Sequence, residues 1–411
     1  MCSPADTDAS NSSGPHGQYC PEITDTAFDN IEETMEPQMN PLGWSRDVLS
    51  SYGTPSSQTK YRRRFSVRPF SEDDQDVFQQ HKIPDQIIHD VLSYLNFRDL
   101  SAAMGASTRF YRIGQGGNLW RGVDMGSRTV DALAVAKVVE RGAKALRLCG
   151  TTIRNSDDEM CPLNCRHLLY LDATRIRYDD ITTQSGFLDR LLLSSNKLTC
   201  LSLSSCHLSP SLITALSSLT QLEQLDLSMS TGLYGDSIRK ALHNCSKRLV
   251  QLNMSGSKIG KDGAIAVACM CINLERVDLS GNATDDNSED CVDDQVAEYL
   301  VRYCVQLKEV HLSDSHRITD RGFKLLLELA NLETLSLSRC YSIHPVEFLE
   351  ARNLHTLSVF GCVTHHGADA LKKSLPYTRI NEAQCAISMV ARATPPPSVT
   401  SIWGQRTKSH Y

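Results

Sequence analysis

The stretch Leu222-Glu-Gln-Leu-Asp-Leu227 is one copy of a pattern that recurs through the second half of the chain. The pattern is Leu-x-x-(Leu/Val)-x-(Leu/Met), and successive copies are separated by 24, 27, 25, 33, 25 and 22 residues. The copies begin at Leu198, Leu222, Leu249, Leu274, Leu307, Leu332 and, less perfectly, Leu354. One repeat cannot cover its own apolar face, whereas stacked neighbours form a continuous core. We therefore predict a curved solenoid with its strands on the concave side.

The spacing of these copies is typical of leucine-rich repeats, which are roughly 20–29 residues long. Weaker copies in residues 143–148 and 168–173 bring the predicted total to about nine. Each repeat offers a short strand followed by a helical return, for example Asp320-Arg-Gly-Phe-Lys-Leu-Leu-Leu-Glu-Leu329. A strand and a helix in every repeat place the predicted fold in the α/β class.

A separate helical segment, residues 83–120, precedes the repeats. Pro84 suits the first turn of a helix, and one apolar stripe follows it: Ile87, Ile88, Val91, Leu92 and Leu95. Asp99 is a plausible cap for a second helix that continues to Met104, and Leu119-Trp120 ends the segment. About forty residues form only a marginal core. We therefore predict a small all-helical unit that a partner protein completes.

Bulk composition excludes several classes of function. The 411 residues carry a net charge of −6, so no basic face for nucleic acid is expected. No apolar run reaches the ~18 residues of a membrane span, and the first residues lack the pattern of a secretory leader. The fifteen cysteines are then expected to be thiols in a reducing compartment. We predict a protein of the nucleus and cytoplasm.

Residues 1–78 are rich in Ser, Asp, Pro, Asn and Thr and show no sustained apolar period. We predict that they form a disordered regulatory tail, because they bury too little surface to offset the entropy of ordering. Short motifs occur within them: Arg46-Asp-Val-Leu49, Thr54-Pro55, Lys60-Tyr-Arg-Arg-Arg64 and Arg63-Arg64-Phe65-Ser66. In that order, they have the spacing of a destruction box, a site for a proline-directed kinase, a nuclear import signal and a site for a basophilic kinase. Each motif is short enough to arise by chance.

Strand alternation predicts which side chains line the concave face. One column is serine in six successive repeats: Ser204, Ser228, Ser255, Ser280, Ser313 and Ser338. This column could form a hydroxyl-lined binding surface. The simpler interpretation is that small side chains relieve steric crowding on the inner curve of the solenoid. The residues beside it, such as Asp314 and Arg339, vary more from repeat to repeat and are better candidates for recognition.

The sequence offers no convincing metal or catalytic site. The acidic stretch from Asp285 to Asp294 lacks the ligand order of an EF-hand and is interpreted as a solvated loop, or as a contact for a basic partner. Cys161, Cys165 and His167 are not spaced as a zinc set. Other cysteines follow the repeat period and are predicted to be buried packing groups: Cys206, Cys271, Cys304, Cys340 and Cys362. We predict a non-enzymatic protein without metal or cofactor.

The helical segment resembles the F-box in Ile83-Pro84, Ile87-Ile88, Val91-Leu92, Tyr94-Leu95, Asp99-Leu100 and Leu119-Trp120. The repeats, with Ile318-Thr-Asp-Arg-Gly-Phe323, resemble the cysteine-containing leucine-rich repeats of F-box proteins. The end of the chain is similar to family members that control entry into DNA replication, in Leu335-Ser-Leu-Ser-Arg-Cys-Tyr341, Val359-Phe-Gly361, Leu375-Pro376, Ile380-Asn381 and Ile402-Trp-Gly404. The resemblance covers roughly residues 79–405.

This resemblance implies a substrate receptor of an SCF-type, cullin-based ubiquitin ligase. Its F-box would bind the S-phase kinase-associated adaptor, and through it cullin and a RING subunit, using Ile83, Pro84, Ile87, Leu92, Leu95, Leu100 and the aromatic anchor Trp120. The implied substrate is a phosphorylated cell-cycle protein, such as a cyclin-dependent-kinase inhibitor, that is ubiquitinated for proteasomal degradation.

In part of the family a small cyclin-kinase accessory subunit docks on the last repeats, and Asp314, Arg339 and Tyr341 match that substrate or accessory-subunit surface. Gly256 and Ala283 depart from it, because the relatives place a tryptophan and an arginine there. The C-terminal tail would fold back along the concave face, with Ile402 and Trp403 as apolar pegs.

The predicted organisation is a disordered tail over 1–78, an F-box over 79–125, a leucine-rich-repeat solenoid over 126–375 and an extended C-terminal tail over 376–411. The alternative function is a ligase-independent leucine-rich-repeat scaffold for protein–protein interaction, in which the helical unit is only a cap.

Overall fold

A computed structural model describes residues 81–154, 163–179, 186–283 and 290–382, and the backbone of two short strands near the end of the chain. The tail predicted over 1–78, with its motifs, lies outside the described residues.

Three short helices and a 3-10 turn build the first unit: α1 Asp85–Tyr94, α2 Phe97–Ala106, α3 Thr108–Gly114 and the turn Gly117–Trp120. Pro84 precedes α1 as its N-cap instead of lying in the first turn. Asn96 caps α2, because its side chain accepts the backbone N–H of Asp99 at 2.8 Å. The prediction of Asp99 as the cap is wrong: Asp99 instead accepts the Asn96 side-chain amide at 2.9 Å, which orients the capping side chain.

A parallel sheet dominates the rest of the described chain. Eleven strands of two or three residues pair in the order of the solenoid: β1 Gly122–Asp124, β3 Ala145–Arg147, β5 Tyr170–Asp172, β7 Cys200–Ser202, β8 Gln224–Asp226, β9 Gln251–Asn253, β10 Arg276–Asp278, β11 Glu309–His311, β12 Thr334–Ser336, β13 Thr356–Ser358 and β14 Arg379–Ile380. Nine of them, β3 to β13, coincide with the nine predicted repeats. The run of parallel strands also includes β1 and β14, which lie in the ranges predicted as F-box and tail.

Helical returns cover one side of this sheet. They are α4 Ala132–Glu140, α5 Gly186–Leu193, α6 Pro210–Ser217, α7 Asp236–Leu242, α8 Gly260–Met270, α9 Asp294–Tyr303, α10 Asp320–Leu326, the 3-10 turn Glu347–Glu350 and α11 His365–Ser374. The repeat leucines lie between sheet and helices and are almost wholly buried, as in Leu222, Leu225 and Leu227. Each such side chain contributes about 1.5–3 kcal/mol through burial.

A second, three-stranded parallel sheet lies beside the first repeats. It consists of β2 Thr129–Asp131, β4 Thr152–Arg154 and β6 Arg177–Tyr178, in that order. This sheet was not predicted from the sequence, because its strands lack the leucine pattern that marks those of the main sheet.

The end of the chain returns to the first repeat. Strand β16 (Gln405–Lys408) pairs in parallel with β1, with Thr407 opposite Gly122, and β15 (Ser401–Ile402) pairs with β16. Ten inter-strand spacings, about 48 Å, separate β14 from β1, and the roughly twenty residues between β14 and β15 can span about 66 Å. The two described ends of the tail therefore lie at opposite ends of this run of strands. That the tail folds back along the concave face stays a prediction, since residues 383–400 lie outside the described part, as does Trp403.

Acidic side chains at the starts of the helices connect successive repeats. Asp294 accepts the backbone N–H of Thr319 at 2.8 Å and its hydroxyl at 2.6 Å, and Asp320 accepts the N–H of His344 at 2.6 Å. Gly322 makes room for the first of these contacts, because a Cβ there would lie 2.2 Å from Asp294 Oδ1.

We expect Gly322→Ala to destabilise the protein by about 1–3 kcal/mol, the usual cost of an overpacked site. Gly105→Ala is the matched control: it lies in α2 with nothing within 4 Å of the added Cβ, and alanine favours the helix. Urea denaturation measures both. Equal urea midpoints for the two variants would show that the close packing of Gly322 against Asp294 does not matter for stability.

Candidate protein-binding sites

Helix α1 presents one apolar face to solvent. Ile87, Val91 and Tyr94 recur at i, i+4 and i+7, and their side chains are 53%, 58% and 74% exposed. The adjacent face, about 100° round the helix, carries Ile88 and Leu92, which pack into the core. A solvent-exposed patch of large apolar side chains is typical of a surface that another protein covers. We call Ile87, Val91 and Tyr94 the α1 face.

The predicted adaptor contacts divide into two groups. Pro84 and Ile87 are exposed, and Ile83 and Leu95 are half-buried, so these four remain predicted contacts. The prediction that the adaptor contacts Leu92, Leu100 and Trp120 needs correction. These three side chains are buried in the chain's own core. Val91 and Tyr94 were not among the predicted contacts, although their spacing from Ile87 could have indicated that they share its exposed face.

Trp120 joins the helical unit to the solenoid. Its side chain is 1% exposed, and its indole Nε1 donates to the carbonyl oxygen of Gly114 at 2.7 Å. The Arg141 guanidinium, just after α4, lies 4.4 Å from the ring centroid. A buried aromatic that contacts both units fixes their relative orientation. Trp120 is therefore an internal joint of the chain.

A pair of ion contacts holds the start of α1 on α3. Arg109 and Arg112 approach Asp85 at 2.7 and 2.9 Å. The hydrogen bond from Arg109 lowers the pKa of the Asp85 carboxyl below its usual value. Arg109 also donates to the carbonyl oxygen of Ile83 at 2.6 Å. These contacts position the residues that precede the α1 face.

The concave serines make hydrogen bonds between repeats. Ser228 Oγ lies 3.0 Å from Ser204 Oγ, while Ser313 Oγ accepts the N–H of Ser338 at 3.2 Å. Ser338 Oγ in turn accepts the N–H of Phe360 at 3.2 Å. The column is therefore more than a set of small residues that relieve crowding, because its hydroxyls satisfy polar groups of the neighbouring repeat.

The acidic column beside the serines also has a structural role. In five strands a side-chain oxygen at this position accepts the backbone N–H two residues on, at 2.9–3.0 Å; the acceptors are Asp124, Asp172, Asp226, Asn253 and Asp278. Burial raises the pKa of Asp172 above its usual value. These carboxylates therefore stabilise turns of the solenoid itself, and they are weaker candidates for ligand contacts.

Four residues in the loops that follow β11 and β12 form a surface that we call the polar rim: Asp314, His316, Arg339 and Tyr341. The Arg339 guanidinium bonds both carboxylate oxygens of Asp314. The His316 and Tyr341 rings stack with centroids 5.6 Å apart. Asp314 and Arg339 have positive φ, +62° and +60°, in the turns that follow consecutive strands.

The predicted recognition residues Asp314, Arg339 and Tyr341 are thus brought together, and Tyr341 is exposed. Gly256 occupies the corresponding turn of an earlier repeat, at φ +66°, and therefore adds no side chain there. Of the predicted tail pegs, Ile402 lies in β15, and the role of both pegs stays a prediction.

The cysteines that follow the repeat period are buried or half-buried, as predicted. Burial raises the pKa of Cys206 to about 11 and that of Cys304 and Cys340 to about 12. The thiols of Cys206, Cys304 and Cys340 each donate to a carbonyl of the preceding repeat, for example Cys340 Sγ to Leu312 O at 3.3 Å. Such thiols are poor nucleophiles, because the thiolate is the reactive form.

We expect iodoacetamide to alkylate exposed Cys269 at pH 8 while Cys304 and Cys340 stay protected. A pKa of about 12 leaves roughly one thiol in 10⁴ ionised at that pH. Peptide mass mapping of folded and urea-treated protein measures the difference. Fast labelling of Cys340 in the folded protein would contradict the packing role.

The end of the acidic stretch is structured. Asp293 caps α9 and pairs with Lys261 at 2.6 Å, and Asp290 accepts the N–H of Lys261 at 2.7 Å. The interpretation as a solvated loop is therefore wrong for this part, since these carboxylates bind the neighbouring repeat. Asp285, Asp286 and Glu289 lie outside the described residues.

No group of three or more His, Cys, Asp and Glu side chains among the described residues could hold a metal ion. None of the described helices is both long and apolar enough to cross a membrane.

Comparison with known families supports both units. Residues 81–125 match the model of an F-box-like domain, and residues 133–410 match that of the SKP2 LRR domain. An F-box implies binding to a Skp1-type adaptor and its cullin complex. An F-box followed by such repeats supports a substrate-recognition role in an F-box ubiquitin ligase.

Two solved structures are also similar. A Listeria monocytogenes internalin (inlF) is 15% identical with a TM-score of 0.41, and the match covers 75% of this chain and 92% of that one. The Rad7 and Elc1 complex of yeast is 16% identical with a TM-score of 0.47, and the match covers 74% and 76%. The SKP2 LRR model alone spans more than half of the present sequence. The chain belongs to the F-box proteins with leucine-rich repeats of the SKP2 type.

Proposed function

We propose that this chain is the substrate-recognition subunit of an SCF-type ubiquitin ligase that acts on phosphorylated cell-cycle proteins. The observation that carries the proposal is the α1 face, an exposed apolar surface on a helical unit that Trp120 joins to a solenoid. One end has the character of a docking surface for a constant partner. The other presents side chains for a substrate.

The S-phase kinase-associated adaptor would cover the α1 face, with Pro84, half-buried Ile83 and Leu95 at its margin. Burying apolar surface is worth about 25 cal/mol per Å², and exposed side chains at the centre of such a patch carry most of the binding energy. Cullin and the RING subunit would follow through the adaptor.

The polar rim is the proposed contact for substrate or for a small cyclin-kinase accessory subunit. Arg339 supplies a guanidinium, which suits recognition of carboxylate or phosphate groups. The stacked His316 and Tyr341 rings add an aromatic surface. A cyclin-dependent-kinase inhibitor is the leading substrate, and nucleus and cytoplasm are the proposed compartments.

Rate enhancement would come from proximity. A substrate held on a rigid receptor meets the ubiquitin-charged enzyme at a high effective concentration, and no side chain of this chain need take part in the chemistry. The raised pKa values of the buried cysteines support this non-enzymatic role.

The test of the substrate surface is Arg339→Glu. Placing a carboxylate opposite Asp314 removes the cation and adds repulsion, so we expect at least about a tenfold slower ubiquitination of the phosphorylated inhibitor in a reconstituted ligase. Adaptor binding should stay at the wild-type level.

The matched control is Lys372→Glu, the same charge change on exposed α11. Wild-type ubiquitination by the Arg339 variant would remove the polar rim from the proposal. An equal loss in both variants would show that net charge, and not this site, is responsible.

A further inference from the structure

A notch opens on the surface between α6 and α7, apart from the polar rim and the α1 face. Its volume is about 150 Å³, and His207, Leu208, Ile213, Gly232, Tyr234 and Lys240 are among the residues that line it. Leu208 and Ile213 form a buried apolar floor. Sites for drug-sized ligands are typically about 300–1,000 Å³. The notch is therefore too small for a cofactor but has room for one side chain of a protein.

The walls of the notch are held by hydrogen bonds between two repeats. Leu208 donates its N–H to the carbonyl of Thr231 at 2.8 Å, and His207 Nδ1 lies 3.0 Å from Thr231 Oγ1. Gly232 has φ +92°, and a Cβ there would lie 2.4 Å from the carbonyl oxygen of Leu208. Only glycine allows this close approach. The notch is thus preformed, which lowers the entropy cost of binding.

The loop after β8 exposes two large apolar side chains. Tyr234, on the notch wall, is 74% exposed, and Met229 in the same loop is 62% exposed. The Tyr234 backbone is fixed, because its N–H donates to Ser237 Oγ at 2.8 Å and that hydroxyl donates back to Tyr234 O at 2.7 Å. Tyrosine and methionine are enriched at the centres of protein interfaces.

The charge at the notch is positive. Lys240 lies on its wall and Arg239 is next to it on α7, and within the described residues neither forms an ion pair. Two cations of the following repeats are paired, Arg248 with Glu223 at 3.1 Å and Lys261 with Asp293 at 2.6 Å. Asp236 is the one acidic residue of α7. Lys240 and Arg239 therefore place two positive charges beside an apolar notch. Such an arrangement complements a ligand that carries carboxylates.

We propose that this notch binds a short acidic segment of a partner protein. One aliphatic or aromatic side chain of the segment enters the notch against Leu208, Ile213 and Tyr234. Its flanking Asp or Glu residues face Lys240 and Arg239. The site goes beyond the proposed ligase role and does not depend on it, since it lies on other repeats than the polar rim. A substrate that engaged both would gain affinity through the linkage of two sites.

The test uses the full chain in complex with its adaptor, or the folded chain alone if no complex forms. The probes are fluorescein-labelled 12-residue peptides with a central Leu or Phe flanked by four Glu residues. Matched peptides replace the central residue by Ser or the four Glu by Lys. We expect binding of the Leu or Phe acidic peptides, and at least about tenfold weaker binding of both matched sets.

Two exposed substitutions assign the site. Lys240→Glu and Tyr234→Ser should each weaken binding about tenfold without changing the melting temperature. Lys372→Glu on α11 should leave binding unchanged. No binding of any acidic peptide, indifference to the central residue, or an equal loss in Lys240→Glu and Lys372→Glu would each overturn the proposal. Adaptor binding and ubiquitination, measured in parallel, report separately on the ligase role.

Discussion

Replacing Val91 with Asp will abolish binding of the S-phase kinase-associated adaptor, with a loss of at least about 100-fold in affinity. Val91 lies at the centre of the α1 face, between Ile87 and Tyr94, and is more than half exposed in the free chain. An adaptor that covers this face would bury the new carboxylate without a partner, which costs several kcal/mol. A loss of 100-fold corresponds to about 2.7 kcal/mol. Isothermal titration of the purified proteins measures it.

The control for this substitution is Gln115→Asp. It adds the same charge at another exposed position of the helical unit, beyond α3, and should bind the adaptor like the wild type. Both side chains point to solvent, so neither change should alter the melting temperature by more than a degree or two. Undiminished binding by the Val91 variant would mean that the adaptor uses a different surface.

Replacing Trp120 with Ala will destabilise the protein by about 3–5 kcal/mol, the range for removal of a buried aromatic side chain. The change leaves a cavity, and it removes the hydrogen bond to Gly114 and the contact with the Arg141 guanidinium. Urea denaturation, followed by circular dichroism, gives the free energy of unfolding. Loss of adaptor binding in this variant would then reflect loss of structure.

Tyr94→Ala is the comparison for that experiment, since it truncates an aromatic side chain that is largely exposed. Its stability should remain within about 0.5 kcal/mol of the wild type, while its adaptor affinity falls. If Trp120→Ala kept full stability and still lost the adaptor, Trp120 would be a direct contact after all.

Much of this fold was predictable because its signal is periodic. Leucines that recur every 22–33 residues define strands that must stack, and strands β3 to β13 lie where that pattern predicts. The second sheet had no such signal. Strand β16 could not be predicted either, because its partner β1 is almost three hundred residues away and pairing over such a distance leaves no local mark.

The candidate sites were less predictable, since sequence patterns mark apolar faces but do not say which face is already covered. Leu92 and Val91 are neighbours in one apolar stripe, yet only packing against α2 and α3 decides that the first is buried and the second exposed. The role of Gly322 depends on Asp294 of the preceding repeat. Asp314 and Arg339, in contrast, were identified as candidates for recognition from their variation beside the serine column.

Whether this chain links an adaptor to a substrate can be tested by co-expression. The wild-type protein is co-expressed with the S-phase kinase-associated adaptor and cullin, and the purified material is analysed by size-exclusion chromatography with light scattering. We expect a stable complex with one copy of each protein, lost in Val91→Asp. A folded chain that elutes alone beside an adaptor–cullin complex would contradict this expectation and favour a ligase-independent scaffold.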